Sequence, residues 1–198
     1  MCRLIESIKV FDKKLFNINY HNNRMNNSRK ILFNCEDEID LSSIIKIPNN
    51  LDNKLYKCRV VYSKEIESIE FVPYVKKNIN TIKIVENNFI DYTYKFENRD
   101  ELNKMLLESN ADEIIIIKNN FVTDASFANL VFTDGVIFVT PSTPLLKGTK
   151  REKLLNEEII REEELRKNDI NKFKFFYLIN SMLNIDDEHK IPIEKILS

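Results

Sequence analysis

The sequence predicts a mixed α/β protein built as two small domains. Three observations lead there. Short β-rich apolar runs alternate with stretches of helical spacing, turn-forming pairs recur after residue 113, and residues 86–99 have no clean periodicity. That last segment separates a strand-rich first half from a hairpin-rich second half, so the first domain is placed at 1–90, a connecting segment at 91–98 and the second domain at 99–198.

Taken in order, the β-like runs are Leu4 to Val10, Cys58 to Tyr62, Ile69 to Val75, Thr81 to Val85, Glu113 to Lys118, Asn129 to Phe132, Val136 to Thr140 and Phe175 to Ile179. Each is short and rich in β-branched or aromatic residues, which fit a pleated, half-buried surface. Helices are predicted over Tyr20 to Phe33, Arg99 to Ser109 and Lys150 to Ile160, where good helix formers combine with apolar residues three and four apart. Asn119-Asn120 and Asp134-Gly135 stand between apolar runs. These residue types tolerate the positive φ of tight hairpin turns, so an antiparallel meander is expected there. The charge run from Glu157 to Lys167 reads as a solvated helix face and its exit.

Composition narrows the function. Thirty Lys and Arg against 31 Asp and Glu leave no overall field to draw the chain to nucleic acid or to an anionic membrane, so any anion site is local. Hydrophobic residues at 43% and charged residues at 31% suit a folded globular chain. The three cysteines, Cys2, Cys35 and Cys58, have no paired spacing, and with two histidines there is no zinc set, which points to a reducing, cytoplasmic setting without a metal. The opening MCRLIESIKV alternates charge with apolar residues and makes neither a signal core nor a membrane span, so folded protein is expected from Met1 onward.

Four features have chemical potential, each beside an ordinary structural alternative. Lys95, in IDYTYKFENR, is flanked by Tyr92, Tyr94 and Phe96, and a partly desolvated lysine is a usable nucleophile for a carbonyl carbon; the alternative is a surface lysine. Asp124, in FVTDASFANLVF, follows a hairpin turn at the start of an apolar strand, where it either faces a cation or caps turn amides. Gly148, Thr149 and Lys150 open a helix, whose first amides suit phosphate or form a plain N-cap. Arg24, in YHNNRMNNSR, points inward to an anion or lies in solvent.

In order along the chain, these pieces resemble the class IV pyridoxal-phosphate family, which includes branched-chain and D-amino-acid aminotransferases and aminodeoxychorismate lyase. The opening LIESIKVFDKKLFNINYHNNRM is similar to the family's strand, turn and helix with His-x-x-Arg-hydrophobic, here His21 to Met25. DYTYKFENR resembles the lysine segment in its lyase-like Lys-x-x-Asn-Arg form, given by Lys95, Asn98 and Arg99. VTDASFANLVFTDGVIFVTPSTPLLKGTKRE looks like the longest family signature and FYLINSML like the last, so the resemblance spans nearly the whole chain.

The resemblance implies the D-amino-acid aminotransferase-like fold type IV, with the N-terminal strand and turn shortened. It implies pyridoxal 5'-phosphate held as a Schiff base on Lys95, which would also move the proton at the substrate α-carbon. Asp124 would pair with the pyridinium nitrogen, one methylene shorter than the family's glutamate. Arg24, the amides of Thr149 and Lys150 and the Ser181 hydroxyl would hold the phosphate. The customary threonine of the family's Gly-Ile-Thr-Arg is displaced by one position in Gly148-Thr149-Lys150-Arg151. Asn129 would support the strand carrying Asp124, and the amides of Ser181 and Met182 would face the cofactor or the substrate carboxylate. The implied reaction is 4-amino-4-deoxychorismate lysis to 4-aminobenzoate and pyruvate, with amino transfer from a branched-chain or D-amino acid as the second reading and a non-catalytic homologue as the third. A homodimer and an aminodeoxychorismate synthase as pathway partner are implied too, with no nucleic acid and no membrane.

Overall fold

In the computed structural model, which describes residues 2–197, the chain divides into two units. One holds the residues up to Lys76 together with Tyr94–Asn98, and the other holds Lys77–Thr93 and the residues from Arg99 onward. Residues 77–90, placed with the first domain on sequence alone, pack instead with the second, because their strand pairs in parallel with Glu113–Lys118.

The first unit begins with β1 (Leu4–Phe11), which turns at Asp12-Lys13 into β2 (Lys14–Leu15). Both turn residues have positive φ, 48° and 55°, as a two-residue hairpin turn requires. Helix α1 (Ile18–Phe33) is bounded by Asn17 and Asn34, both left-handed at φ 56°, a conformation asparagine accepts more readily than most residues. A single turn, α2 (Leu41–Ile44), follows, and β3 (Tyr56–Tyr62) and β4 (Ile66–Pro73) complete an antiparallel sheet in the order β2-β1-β3-β4. Leu4, Ile8 and Val10 of β1 join Met25 of α1 and Cys58, Val60 and Tyr62 of β3 in one apolar core. The other edge of β1 is covered by the returning segment: Ile5 N–H donates to the Lys95 carbonyl at 2.9 Å, and Glu97 N–H to the Arg3 carbonyl at 2.9 Å.

The second unit is a larger sheet. Strand β5 (Ile82–Glu86), helix α3 (Asp100–Ser109) and β6 (Glu113–Lys118) form a right-sized crossover, since parallel strands need a long connection. From β6 the chain runs antiparallel through β7 (Phe121–Ala125), β8 (Asn129–Thr133) and β9 (Phe138–Pro141), which is the expected meander. Its first turn is Asn119-Asn120, at φ 51° and 67°. After α4 (Thr149–Asn156), β10 (Arg161–Glu163) pairs in parallel with β9, and β11 (Phe175–Ile179) lies antiparallel along the whole of β8. Short β12 (Ile191–Pro192) and β13 (Ile196–Leu197) extend β11 and β5. No helix among the described residues is long and apolar enough to cross a membrane.

Several bounds differ from the sequence reading, among them β4, which starts at Ile66 rather than Ile69, and three differences in the second unit have a local cause. The α4 helix stops at Asn156 rather than Ile160: Glu158 takes φ 54°, and the amides of Ile159 and Ile160 both return to the Leu154 carbonyl, which turns Ile160 into the core. Strand β9 starts at Phe138 rather than Val136 because Asp134 Oδ1 captures the amides of Val136 and Ile137 in a turn. Asp124 lies near the end of β7, a strand absent from the sequence reading, rather than at the start of one.

Candidate active site

In the first unit, polar chemistry gathers on one face of β1. The alternation that buries Leu4, Ile8 and Val10 also buries Glu6, which is 0% exposed. A carboxylate in an apolar core persists only with strong partners, and α1 supplies them. His21 and Arg24 stand three residues apart, so they share a helix face. His21 Nδ1 lies 2.5 Å from Glu6 Oε2, while Arg24 forms a fork, Nε to Oε1 at 2.9 Å and Nη2 to Oε2 at 2.5 Å. Burial alone would raise the Glu6 carboxyl, but the Arg24 guanidinium, and after it the His21 contact, hold it down at about 2. Burial holds His21 below its ordinary value against the pull of Glu6, so the neutral ring donates its Nδ1 proton to the carboxylate. Lys95 is close enough for its charge to weigh against a charged His21. Its backbone is fixed by the Ile5 amide, next to Glu6, while Tyr94 and Phe96 pack edge to face, 6.1 Å apart, against the core of this unit.

In the second unit, Asp124, like Glu113, is a buried acid. Its Oδ1 accepts from Asn129 Nδ2 at 2.7 Å and its Oδ2 from the Leu146 amide at 2.9 Å, so both oxygens are fixed. Burial pushes the carboxyl up to about 6 even against the Leu146 amide, Asn129 and the Arg151 charge. Asn129, directly opposite Asp124 in the β7–β8 register, also donates to the Leu146 carbonyl at 2.8 Å and thereby ties the strand pair to the approach to α4. At the start of α4 the N-cap is Gly148, which offers no side-chain oxygen to the first amides. Thr149 Oγ1 and Ser181 Oγ lie 3.4 Å apart, and Lys150 is buried with its Nζ on Asn184 Oδ1 at 2.5 Å. The amide of Met182, expected to face the cofactor or the substrate, is engaged within the chain, donating to Asn180 Oδ1 at 2.8 Å.

Arg24 and Lys95 are thus brought together in the first unit, and Asp124, Thr149, Lys150, Ser181 and Met182 belong to the second. Glu6 was missed on sequence, although a glutamate in phase with Leu4, Ile8 and Val10 on an apolar strand was a readable signal. Arg99, taken as part of a lyase-like motif, has a structural role. Its Nη2 donates to the Ser126 carbonyl at 2.5 Å, and Glu113 Oε1 accepts the Ser126 amide at 2.9 Å, so the turn after Asp124 is clamped from both sides.

Each unit by itself holds groups that suit part of a phosphorylated pyridine aldehyde. Lys95 offers an amine, Asp124 is a buried acid that a neighbouring cation would ionise, and an uncapped helix start beside two hydroxyls favours a dianion. Arg24 keeps 14% exposure, whereas Glu6 and His21 keep none. The fold is that of a pyridoxal-phosphate-dependent enzyme of fold type IV. Residues 3–187 match the amino-transferase class IV family, and the chain belongs to it. A Haemophilus influenzae protein, named only as uncharacterized, is 37% identical over 185 residues, covering 92% of this chain and 98% of its own. A crystal structure from Haemophilus somnus, provisionally named a 4-amino-4-deoxychorismate lyase, is 33% identical with a TM-score of 0.82, over 92% of this chain and 97% of that one. A provisionally named amino-acid aminotransferase of Mesorhizobium loti shares the fold, with a TM-score of 0.78 at 18% identity over 97% of this chain and 98% of its own.

Proposed function

We propose that this enzyme is a 4-amino-4-deoxychorismate lyase, forming 4-aminobenzoate and pyruvate. The observation that carries this reading is the 33% identity, over nearly the whole of both chains, to the Haemophilus somnus protein whose provisional name is that activity. The Lys95, Asn98 and Arg99 pattern and the Asn180-Ser181 pair lean the same way. Amino transfer from a branched-chain or D-amino acid is the second reading, favoured by the family itself.

Pyridoxal phosphate, when bound, supplies an aldehyde for the substrate amine and a ring that withdraws electrons from the carbon bearing it. Lys95 would hold the aldehyde carbon through its Nζ, yield it to the substrate amine, and then take and return the proton at the substrate carbon. Asp124, fixed by Asn129 and Leu146, would keep the proton on the ring nitrogen. Those two bonds set both of its oxygens in place. Arg24 would bind the phosphate, together with the Thr149 and Lys150 amides and the Ser181 hydroxyl. Met182 would line the substrate side. This reading carries with it a homodimer, a cytoplasmic setting and a synthase partner that aminates chorismate.

The test supplies chorismate, glutamine and an aminodeoxychorismate synthase to the loaded enzyme, without a keto acid. Equal amounts of 4-aminobenzoate and pyruvate support the lyase; product that appears only with a keto-acid acceptor supports the transferase. Borohydride reduction should place the cofactor on Lys95, and Lys95→Ala should abolish both the adduct and either reaction.

A further inference from the structure

We propose that Glu6 is a positioning residue for the cofactor phosphate: from inside β1 it aligns the Arg24 guanidinium by a two-point fork, with His21 bracing the same carboxylate. The inference rests on the reading of Arg24 as a phosphate ligand.

Four features lead to it. A carboxylate with no exposure in the middle of an apolar strand face costs folding free energy, and Leu4, Ile8 and Val10 around it show that an apolar residue would fit. A single hydrogen bond lets a guanidinium swing, whereas bonds of 2.9 Å and 2.5 Å from Nε and Nη2 to the two carboxylate oxygens fix its plane and its direction. Of the three side chains only Arg24 is exposed at all, at 14%, so an anion meets the cluster at Arg24 and not at Glu6 or His21. Arg29, five residues further along α1, shows the contrast. It is 0% exposed, and its guanidinium reaches the Lys64 and Asp37 carbonyls, Asn26 Oδ1 and Asp37 Oδ2, so it ties loops together and presents nothing outward.

The place of Glu6 in the chain adds a second link. The Ile5 amide fixes the Lys95 backbone, and the next residue fixes Arg24. One dipeptide of β1 therefore sets the two groups of this unit that would hold opposite ends of the cofactor, its aldehyde carbon and its phosphate. His21 completes the arrangement: as a neutral donor to Glu6 Oε2 it steadies the carboxylate without competing with Arg24 for its charge.

The experiment titrates the full-length apoprotein with pyridoxal 5'-phosphate and with pyridoxal, which lacks the phosphate, following the absorbance of the bound aldehyde. Glu6→Gln should lower the preference for the phosphorylated form by about tenfold while changing pyridoxal affinity little, since glutamine offers one acceptor oxygen where the fork uses two and Arg24 is no longer held in line with the phosphate. Arg24→Gln should lower the preference at least as far. Loss of both affinities in equal proportion would make Glu6 merely structural and overturn the proposal. An unchanged preference in Glu6→Gln with a lowered one in Arg24→Gln would overturn it alone; an unchanged preference in both would remove the Arg24 reading as well. Should Glu6→Gln not fold, Glu6→Asp keeps the charge, shortens the reach, and is read by the same ratio.

Discussion

Gly148 stands so close to Asn129 that a Cβ on it would lie 2.0 Å from Asn129 Oδ1. The glycine is needed for space, because its φ of −73° is open to any residue. Its absence of a side chain lets the N-terminus of α4 sit against the amide that holds Asp124. Gly148→Ala should therefore disturb the acid and the helix start together. We expect a loss of about 1–3 kcal/mol in stability, the usual scale of overpacking, with weaker cofactor binding. Thermal melts of the apoprotein and a cofactor titration check both.

Asp124 gives a pH signature of one sign. Its folded value of about 6, against 3.8 for an ordinary aspartate, means that the native state keeps a proton the unfolded chain has already released. The stability this supplies is fully present below 3.8 and is lost as pH rises through about 6. Relative to Asp124→Asn, the wild-type apoprotein should lose about 2 kcal/mol between pH 4 and pH 7, because a tenfold change in proton affinity is worth about 1.4 kcal/mol and the unfolded aspartate is already partly ionised at pH 4. Melts of both proteins across that range would show the gap; parallel curves would contradict it. In the loaded enzyme, Asp124→Asn should keep the Lys95 adduct but cripple turnover.

Glu6 gives the opposite sign. Buried and held down at about 2 by Arg24 and His21, it contributes stability that is present above its unfolded value near 4.5 and disappears as pH falls toward 2. The stability advantage of wild type over Glu6→Gln should shrink on acidification from pH 5 to pH 3. Denaturant titrations at the two pH values measure it, and an advantage that holds constant would contradict the pairing.

Arg29 and Arg24 should separate cleanly. Arg29→Ala leaves the Lys64 and Asp37 carbonyls without their donor and empties a fully buried site, so a loss of about 2–4 kcal/mol is expected. The preference for pyridoxal phosphate over pyridoxal should remain that of wild type, whereas Arg24 variants lose it. Melting temperature and the two titrations report these effects independently.

The regular elements were legible because their periodicity is local. Glu113–Lys118 and Phe175–Ile179 are strands with the predicted bounds, and the Asn119-Asn120 turn has the backbone its composition suggested. Ordered motifs around Lys95, Asp124 and Gly148 were enough, by resemblance, to place the chain in its family. What the sequence could not display was which polar side chains turn inward and onto whom. Arg24 and Arg29 sit in one short helical stretch and read alike, yet one faces Glu6 and the other two loop carbonyls, 35 and 8 residues away in the chain. The same holds for Glu6, whose burial is tolerable only because α1 brings two partners across to β1, and for Asp124, whose carboxyl is raised by burial against the hold of the Leu146 amide, 22 residues further on. Local pattern is encoded by neighbours three or four residues apart, whereas charge and hydrogen bonding are decided by groups that only the tertiary fold brings within about 3 Å.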